Sequence, residues 1–254
     1  MLPVNQILCG DNVETMKQFP ADSVDLVVTS PPYDNLRTYG GHSWDFQLVA
    51  DQLWRSIKPG GVVVWVVADQ TIDGSESGES FRQALRFKEI GFRLHDTMIW
   101  SKDTFSLPFP NRYHQTFEYM FVFSKGSPTF NPISDRRNKH SGSKVGVTVR
   151  ETCDNMTRRS DKNIAEHGKR FNVWKCSVEK GAVLGHPAPF PESLARDHIL
   201  SWSNENDIVL DPFAGSGTTC RKAKDLGRKW IGIEVNPDYV EIINKRMAQQ
   251  VLDF

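Results

Sequence analysis

The sequence predicts an α/β protein in which a doubly wound, mainly parallel sheet is interrupted by a long insertion. Apolar strands alternate with amphipathic helices up to about residue 126, and the alternation returns after residue 180, but the stretch between is poor in apolar residues. Strands that alternate with helices form parallel sheets covered on both faces. We therefore expect residues 1–126 and 181–254 to form the two halves of one domain, and residues 127–180 to form an inserted region.

The first half contains five predicted strands and three predicted helices. An apolar run at residues 62–68 is too short to cross a membrane and is typical of a buried central strand. Trp44, Leu48 and Leu53 lie on one helical face that stops before Pro59-Gly60-Gly61, which favours a helix ending there. The predicted strands are 7–9, 24–29, 62–68, 92–100 and 117–123, and the predicted helices are 13–19, 44–57 and 81–90.

The second half repeats the alternation of helix and strand. A proline suits the first turn of a helix, and Pro237 stands at the start of the closing helix. The predicted order is helix 192–202, strand 208–210, helix 217–226, strand 230–233 and helix 237–250.

Composition places the chain among ordinary soluble proteins, with 39% hydrophobic and 24% charged residues and a net charge of zero. Residues 125–180 nevertheless carry 13 Lys and Arg against 6 Asp and Glu, a local excess of positive charge. The chain shows neither a basic leader followed by an apolar core nor a long apolar run, so we expect a cytoplasmic protein without membrane contact. None of its 4 cysteines has C-x-x-C spacing, so we expect free thiols and no metal.

Ser30-Pro31-Pro32-Tyr33 follows the second predicted strand directly. Pro32 fixes its own φ and biases Pro31 toward an extended conformation, so the direction of the Pro31 carbonyl is preset. The Ser30 hydroxyl is a second acceptor, and the Tyr33 ring offers a surface for stacking. A Pro-Pro pair could instead simply end the strand in a turn.

A second segment, Asp211-Pro212-Phe213-Ala214-Gly215-Ser216-Gly217-Thr218-Thr219, lies at a predicted strand-to-helix turn. Its glycines allow the backbone to approach a ligand closely. The phosphate-binding pattern G-x-x-x-x-G-K-[ST] is absent, because Thr218 follows Gly217. Glu234 ends the next strand, where acids of dinucleotide-binding folds accept from ribose hydroxyls; an ordinary exposed acid would also explain it.

Taken together and in this order, the two segments resemble those of S-adenosylmethionine-dependent DNA methyltransferases that modify an exocyclic amino group, the cytosine-N4 and adenine-N6 family. The catalytic segment precedes the cofactor segment, which is the β-type order of that family. The resemblance covers residues 5–125 and 181–250. It implies a circularly permuted, Rossmann-like sheet and S-adenosyl-L-methionine as the cofactor.

The resemblance also implies roles for individual residues. Ser30, Pro31, Pro32 and Tyr33 would form the catalytic segment, with two acceptors for the amino hydrogens of a flipped-out base and a ring against which the base stacks. The residues implied for the cofactor are Asp11, His186, Pro187, Asp211, Pro212, Phe213, Gly215, Gly217, Thr218 and Glu234. Asp11 could equally cap a helix, and residues 186–187 could belong to a proline-rich linker.

The family places its target-recognition region between these segments, and the local excess of positive charge agrees with that placement. Double-stranded DNA is the expected partner, contacted by Arg136, Arg137, Arg158, Arg159 and, just after the catalytic motif, Arg37. Solvated loops that are basic by chance are the alternative. The sequence is compatible with a cognate restriction endonuclease and with a monomer or a homodimer.

The first residue of the catalytic motif bears on the target base. A leading Ser resembles the cytosine-N4 members, whereas a leading Asp is commoner in the adenine-N6 members, so we expect cytosine and keep adenine as the alternative. A glutamine or RNA methyltransferase is disfavoured, since those relatives carry Asn-Pro-Pro-Tyr after the cofactor loop. A DNA-binding protein with an inactive site belongs to another class, against which the intact Ser30, Tyr33 and Asp211 argue.

Methylation of cytosine carbon 5 needs a thiolate nucleophile, typically in a Pro-Cys pair. The residues that precede the four cysteines are Leu8, Thr152, Lys175 and Thr219. None is proline, so direct transfer without a covalent enzyme intermediate is favoured.

Overall fold

The computed structural model describes residues 2–32, 44–104, 111–150, 156–177 and 191–248, apart from the side chains of residues 145–150 and 156–162. The chain divides into two compact units. The large unit comprises Met1–Asn131 and Asn172–Phe254, and the small unit comprises Pro132–Phe171.

The described residues form six helices and fourteen strands, numbered in chain order. The helices are α1 (Asn12–Lys17), α2 (Phe46–Ser56), α3 (Glu79–Glu89), α4 (Glu192–Trp202), α5 (Thr218–Asp225) and α6 (Pro237–Ala248). The strands are β1 (Gln6–Cys9), β2 (Val24–Thr29), β3 (Ile57–Val67), β4 (Thr71–Ile72), β5 (Ser75–Glu76), β6 (Arg93–Ser101), β7 (Phe117–Ser124), β8 (Arg136–Arg137), β9 (Lys144–Arg150), β10 (Met156–Asn163), β11 (His167–Gly168), β12 (Val173–Lys175), β13 (Ile208–Asp211) and β14 (Lys229–Glu234).

Eight of these strands form the sheet of the large unit, in the order β1-β14-β13-β2-β3-β7-β6-β12. The five strands from β1 to β3 pair in parallel. Strand β7 pairs antiparallel with both β3 and β6, and β12 pairs in parallel with β6. The sheet is therefore mainly parallel with one reversed strand, which confirms the predicted fold class.

Helices cover both faces of this sheet. On one face α1, α2 and α3 pack side by side, and on the other α4 packs against α5. Met16, Leu53 and Phe87 from the first three helices join one core with sheet residues such as Val63 and Phe123, all without solvent exposure. Because successive strand residues point to opposite faces, the parallel strands must be apolar on both, as the continuous apolar sequence of β3 indicated.

Strand β3 begins earlier than the sequence predicted. Val24 pairs with Ile57 and Leu26 pairs with Val62, so Pro59, Gly60 and Gly61 fall within a bulge of the strand rather than before it. An added Cβ on Gly61 would lie 2.8 Å from the Asp25 backbone oxygen. The glycine therefore permits the close approach of β2 at the bulge, a role that the turn-forming sequence did not reveal.

The small unit is shorter than the predicted insertion of residues 127–180. Residues 127–131 and 172–177 belong to the large unit, where β12 extends the main sheet by pairing Trp174 with Trp100. Trp174 is buried in this position. The strand escaped prediction because three residues in a polar stretch carry no clear alternation. Within the small unit, β9 and β10 form an antiparallel pair, as do β8 and β11.

No helix in the described part of the chain is both long and apolar enough to cross a membrane. Cys9, Cys176 and Cys220 are free thiols, while Cys153 lies outside the described residues.

Candidate active site

The predicted site residues converge on one edge of the sheet because their strands are parallel. Thr29, Asp211 and Glu234 are the last residues of β2, β13 and β14, which are neighbours in the sheet. From β13 the chain continues through α5 to β14 on one side, and from β2 it continues through α2 to β3 on the other. The strand order therefore reverses between β13 and β2, and ligands of open α/β sheets bind at such a switch point, outside the carboxyl ends of the strands.

Asp211 lies at this switch point and is 5% exposed. Its Oδ1 accepts from the Thr29 hydroxyl at 2.7 Å and from the Phe213 amide at 3.1 Å. Burial raises the pKa of Asp211 to about 6 and the Glu234 charge adds to the rise, while the hydrogen bonds from Thr29 and Phe213 oppose it. Asp211 is thus a buried carboxylate that carries its charge only near neutral pH or above.

The loop between β13 and α5, residues 212–217, is called the cofactor loop, and its shape depends on contacts with α1 and α6. Asn12 of α1 donates from Nδ2 to the Pro212 carbonyl at 3.2 Å. Gly215 and Gly217 have φ values of 53° and 77°, in the left-handed region that favours glycine. A Cβ on Gly217 would lie 2.7 Å from Cγ2 of Ile243. This packing against α6 shows that Gly217 is needed to seat the loop on the protein, and not only to open it toward a ligand.

Glu234 fixes the open side of the same loop. Its Oε2 accepts from the Gly215 amide at 2.8 Å and its Oε1 accepts from the Asn236 amide at 2.9 Å. The residue is half-buried. The carboxylate therefore links the loop after β13 to the residue that precedes α6.

Asp11 stands beside Glu234 across the ends of β1 and β14, since the Gly10 amide donates to the Glu234 carbonyl at 3.0 Å. Its Oδ1 caps α1 by accepting from the Glu14 amide at 2.9 Å. The structure therefore shows the capping role that the sequence left open, at a place adjacent to the cofactor loop.

The catalytic segment continues β2 past the same edge. Ser30 and Pro32 are half-buried and Pro31 is buried. Tyr33 and Arg37 lie outside the described residues, as do His186 and Pro187. The structure thus brings Ser30 and Pro31 next to the cofactor loop through the Thr29 contact with Asp211.

Phe213 of the cofactor loop packs against an aromatic cluster on the catalytic side of the switch point. The centroid of its ring lies 4.9 Å from that of Trp44 in an edge-to-face arrangement and 6.3 Å from that of Trp65. Trp44 directly follows the part of the chain that contains Tyr33 and Arg37. The aromatic contact therefore joins the loop after Asp211 to the residues that lead into α2.

Arg246 of α6 supports the loop from behind. Its Nη1 donates to the Ser216 carbonyl at 3.0 Å and to the Thr218 hydroxyl at 3.1 Å, and its Nη2 donates to the Glu192 carboxylate. Lys222 also contacts Glu192, at 2.6 Å. Burial alone would raise the pKa of Glu192, but the hydrogen bonds from Lys222 and Arg246 hold it below its usual range.

Thr218, a predicted cofactor residue, is 3% exposed and its hydroxyl is engaged by Arg246. Its side chain therefore braces the turn into α5.

This edge of the sheet carries several carboxylates. Asp11, Asp211 and Glu234 place three carboxylates at the ends of adjacent strands. Such a set suits a ligand that carries positive charge together with hydroxyl and amino donors, as S-adenosylmethionine does.

The family model described as DNA methylase, N6_N4_Mtase, matches residues 24–245. The chain belongs to the N6/N4 DNA methylase family. The orphan methyltransferase M.BamHII of Bacillus amyloliquefaciens is 52% identical to it over 241 residues, which cover 91% of each chain. The DNA adenine methyltransferase YhdJ of Escherichia coli strain K12 is 30% identical over 249 residues, covering 95% of this chain and 82% of YhdJ.

Solved structures show the same fold as this methylase. The match to the PvuII DNA methyltransferase, which is cytosine-N4-specific, covers 97% of this chain and 87% of the PvuII chain, with a TM-score of 0.71 and 23% identity. The match to TTHA0409 of Thermus thermophilus, solved in complex with S-adenosyl-L-methionine, covers 98% of this chain and 95% of the TTHA0409 chain, with a TM-score of 0.68 and 27% identity. The predicted family, fold class and methyl donor are confirmed.

The small unit of the methylase carries the predicted arginine pairs. The Arg136 guanidinium stacks on Phe171 at 4.5 Å from the ring centroid, and its Nε donates to the Lys169 carbonyl at 3.1 Å. Arg137 is exposed. Both residues line a surface cavity of about 540 Å³ that also includes Lys139 and His140. The backbones of residues 158 and 159 lie in β10, and their side chains are outside the description.

Sequence reasoning missed four residues that shape the candidate site of the methylase, namely Asn12, Thr29, Trp44 and Arg246. Thr29 had a detectable signal, since a polar residue ends an otherwise apolar strand immediately before Ser30. Asn12 and Arg246 had none, because they contact the cofactor loop from positions remote in sequence.

Tyr119 is half-buried on β7, where its ring stacks on Phe121 with centroids 5.3 Å apart. Strand β7 lies inside the sheet, between β3 and β6.

Proposed function

We propose that this methylase transfers the methyl group of S-adenosylmethionine to the exocyclic N4 of a cytosine flipped out of duplex DNA. The observation that carries the proposal is the position of Ser30 and Pro31, which continue β2 beside the loop that Asp211 opens. The acceptors for the target amine and the carboxylates for the cofactor thus lie on the two sides of one switch point.

The chemistry demanded of the chain is positioning. The lone pair of an exocyclic amine is delocalised into the base, so the amine is a weak nucleophile. The Ser30 hydroxyl and the Pro31 carbonyl would accept hydrogen bonds from its two N–H groups and turn the lone pair toward the methyl group, and one N–H proton would leave to solvent after the transfer. The Tyr33 ring would stack on the flipped base. When bound, S-adenosylmethionine supplies an electrophilic methyl group on a sulfonium. Asp11, Asp211 and Glu234 would hold the cofactor.

The choice of cytosine rests on Ser30, which heads the catalytic motif. Adenine N6 is the second candidate, because the relative YhdJ is named a DNA adenine methyltransferase. Both amines need the same pair of acceptors, so the leading residue favours cytosine without excluding adenine on chemical grounds.

We also propose that the basic segment holds the DNA, with Arg136, Arg137, Arg158 and Arg159 at the interface and Arg37 beside the base. The cavity of the small unit supports this assignment, since its lining includes the cationic side chains of Arg136, Arg137 and Lys139. We further propose a cognate restriction endonuclease as a partner and a monomeric or homodimeric state.

Nucleoside mass spectrometry tests the target base. Unmethylated DNA made by amplification is incubated with the purified protein and S-adenosylmethionine, then digested to nucleosides. We expect N4-methylcytosine. N6-methyladenine alone would overturn the choice of base, and the absence of any methylated nucleoside would overturn the proposed activity.

A Tyr33 variant tests, in the same assay, whether this residue contacts the target base and not the cofactor. Tyr33→Ala should raise the activation free energy of methyl transfer by about 1–3 kcal/mol, because the stacking on the base is lost, while cofactor affinity stays unchanged. Tyr33→Phe, which keeps the ring, should retain most of the rate. Loss of cofactor binding in Tyr33→Ala, measured by calorimetry, would contradict the assignment of this residue to the base.

A further inference from the structure

The backbone ladder between β2 and β13 stops before the ends of the two strands. Its register pairs Val209 with Leu26 and Leu210 with Val27. On its other side β2 remains paired with β3 as far as Thr29, which lies opposite Trp65. The last part of β2, Val28 and Thr29, is therefore held by backbone pairing with β3 and not with β13.

Two threonine hydroxyls make hydrogen bonds where this ladder has ended, one from α5 to β2 and one from β2 to β13. The Thr219 hydroxyl, at the start of α5, donates to the Val28 carbonyl at 3.1 Å. The Thr29 hydroxyl donates to Oδ1 of Asp211 at 2.7 Å. Thr29 is 1% exposed and Thr219 is 2% exposed, so water does not replace these bonds. A buried carboxylate that loses a hydrogen-bond donor is strongly penalised.

The second of these hydrogen bonds joins the two functional segments directly. Thr29 precedes Ser30 by one residue, and Asp211 directly precedes the cofactor loop, although the two lie 182 positions apart in sequence. Because β3 fixes the Thr29 backbone, the Thr29 hydroxyl holds the Asp211 carboxylate in a set position relative to Ser30 and Pro31, the residues that follow Thr29.

We propose that Thr29 is a positioning residue, whose hydroxyl fixes the Asp211 carboxylate and thereby sets the cofactor loop relative to the amine acceptors of Ser30 and Pro31. This role rests on the proposed function of the two segments. Thr29 itself touches neither the base nor the methyl group in this mechanism, so its effect is exerted through Asp211.

The titration of Asp211 supplies a readout that a purely structural threonine would not change. The Thr29 hydrogen bond lowers the pKa of Asp211, which burial raises to about 6. Among the described residues, Glu234 of β14 and Cys220 of α5 also interact electrostatically with this carboxyl, and burial raises the pKa of the Cys220 thiol so that it stays protonated. Loss of the Thr29 hydroxyl should therefore raise the pKa of Asp211 further.

The experiment compares Thr29→Val, which keeps the shape without the hydroxyl, with Thr29→Ser, which keeps the hydroxyl. Calorimetric titration with S-adenosylmethionine between pH 5 and 8 measures cofactor affinity, and steady-state assays measure kcat and KM on DNA. Ser124→Ala is the matched control, because it removes a buried hydroxyl from the far end of β7, where Ser124 donates to the Gly126 carbonyl.

We expect Thr29→Val to lower kcat by about tenfold or more, the scale of a lost hydrogen bond to a charged group, with little change in KM for DNA. The pH below which cofactor affinity falls should move upward in Thr29→Val. Thr29→Ser and Ser124→Ala should both follow the wild-type profile. Circular dichroism at each pH confirms that the compared proteins are folded.

A wild-type kcat and an unmoved pH profile in folded Thr29→Val would overturn this role while leaving the proposed function intact. The same holds if Thr29→Ser fails to restore both quantities. A wild-type protein that binds the cofactor but methylates no DNA would instead overturn the proposed function, and the shift of the binding profile would still report the Thr29 contact with Asp211.

Discussion

The Glu234 carboxylate closes the loop between β13 and α5 by accepting from the Gly215 amide at 2.8 Å. Glu234 ends one strand and Gly215 follows its neighbour, so a single side chain ties two βα connections together. Its second oxygen accepts from the Asn236 amide at the entry to α6. The residue proposed to bind the ribose is thus also the one that shapes its surroundings.

Replacement of Glu234 by Gln should weaken cofactor binding by about 10- to 100-fold, equivalent to 1.5–3 kcal/mol for a hydrogen bond to a charged group. The amide keeps one acceptor oxygen, but its NH₂ group opposes a backbone N–H. Isothermal titration with S-adenosylmethionine measures the change. Glu241→Gln, at an exposed position of α6, serves as the control and should bind like the wild type. Equal affinities for both variants would remove Glu234 from the cofactor site.

Asp211→Asn should make the protein more stable and less able to bind the cofactor. The folded-state pKa of about 6 lies above the ordinary value of 3.8, so the native state binds a proton more tightly than the unfolded state. The protonated form therefore adds stability as pH falls through 6, and the ionised form costs on the order of 3 kcal/mol at pH 8. Asn carries no such charge and retains the acceptor for Thr29.

Urea unfolding of the wild type and Asp211→Asn between pH 4 and 8 tests whether the ionised Asp211 carboxylate lowers the free energy of unfolding. The variant should be more stable by on the order of 1–3 kcal/mol at pH 8, and the difference should shrink steadily from pH 6 to pH 4. A constant difference across this range would show that Asp211 does not titrate there. A variant that is less stable at pH 8 would show that the ionised carboxylate stabilises the fold.

The two arginines of β8 should differ although they are adjacent. Arg137→Ala should flatten the slope of log K for DNA against log salt by about one unit, as expected for one lost phosphate contact, without changing stability. Arg136→Ala should also destabilise the small unit by about 1–2 kcal/mol, since it removes the stacking on Phe171 and the bond to the Lys169 carbonyl. Fluorescence anisotropy over a salt series and urea unfolding separate the two effects.

Alanine at Arg136, Arg137, Arg158 and Arg159 together should weaken DNA binding while cofactor affinity survives, because the cofactor residues lie in the other unit. An unchanged DNA affinity and salt slope in this folded quadruple variant would place the recognition surface elsewhere. The segment that contains Arg37 would then be the next to test.

The sequence by itself determined the order and type of the main elements. The helix at Glu192–Trp202 was predicted with its observed limits, and the strands that carry Thr29, Asp211 and Glu234 were found because buried parallel strands are apolar throughout. The two motifs identified the family because each joins a strand to a turn of fixed chemistry. These features are local, and local patterns are what a sequence displays.

Only the tertiary structure decided which of these local features meet. Thr29 and Asp211 are neighbours because β2 and β13 are adjacent in the sheet, which no periodicity encodes. The support of the cofactor loop by Arg246 and the addition of β12 to the sheet likewise depend on contacts between distant segments. The buried charge of Asp211 follows from the same cause, since its environment combines the successive elements β13, α5 and β14 with the distant strand β2.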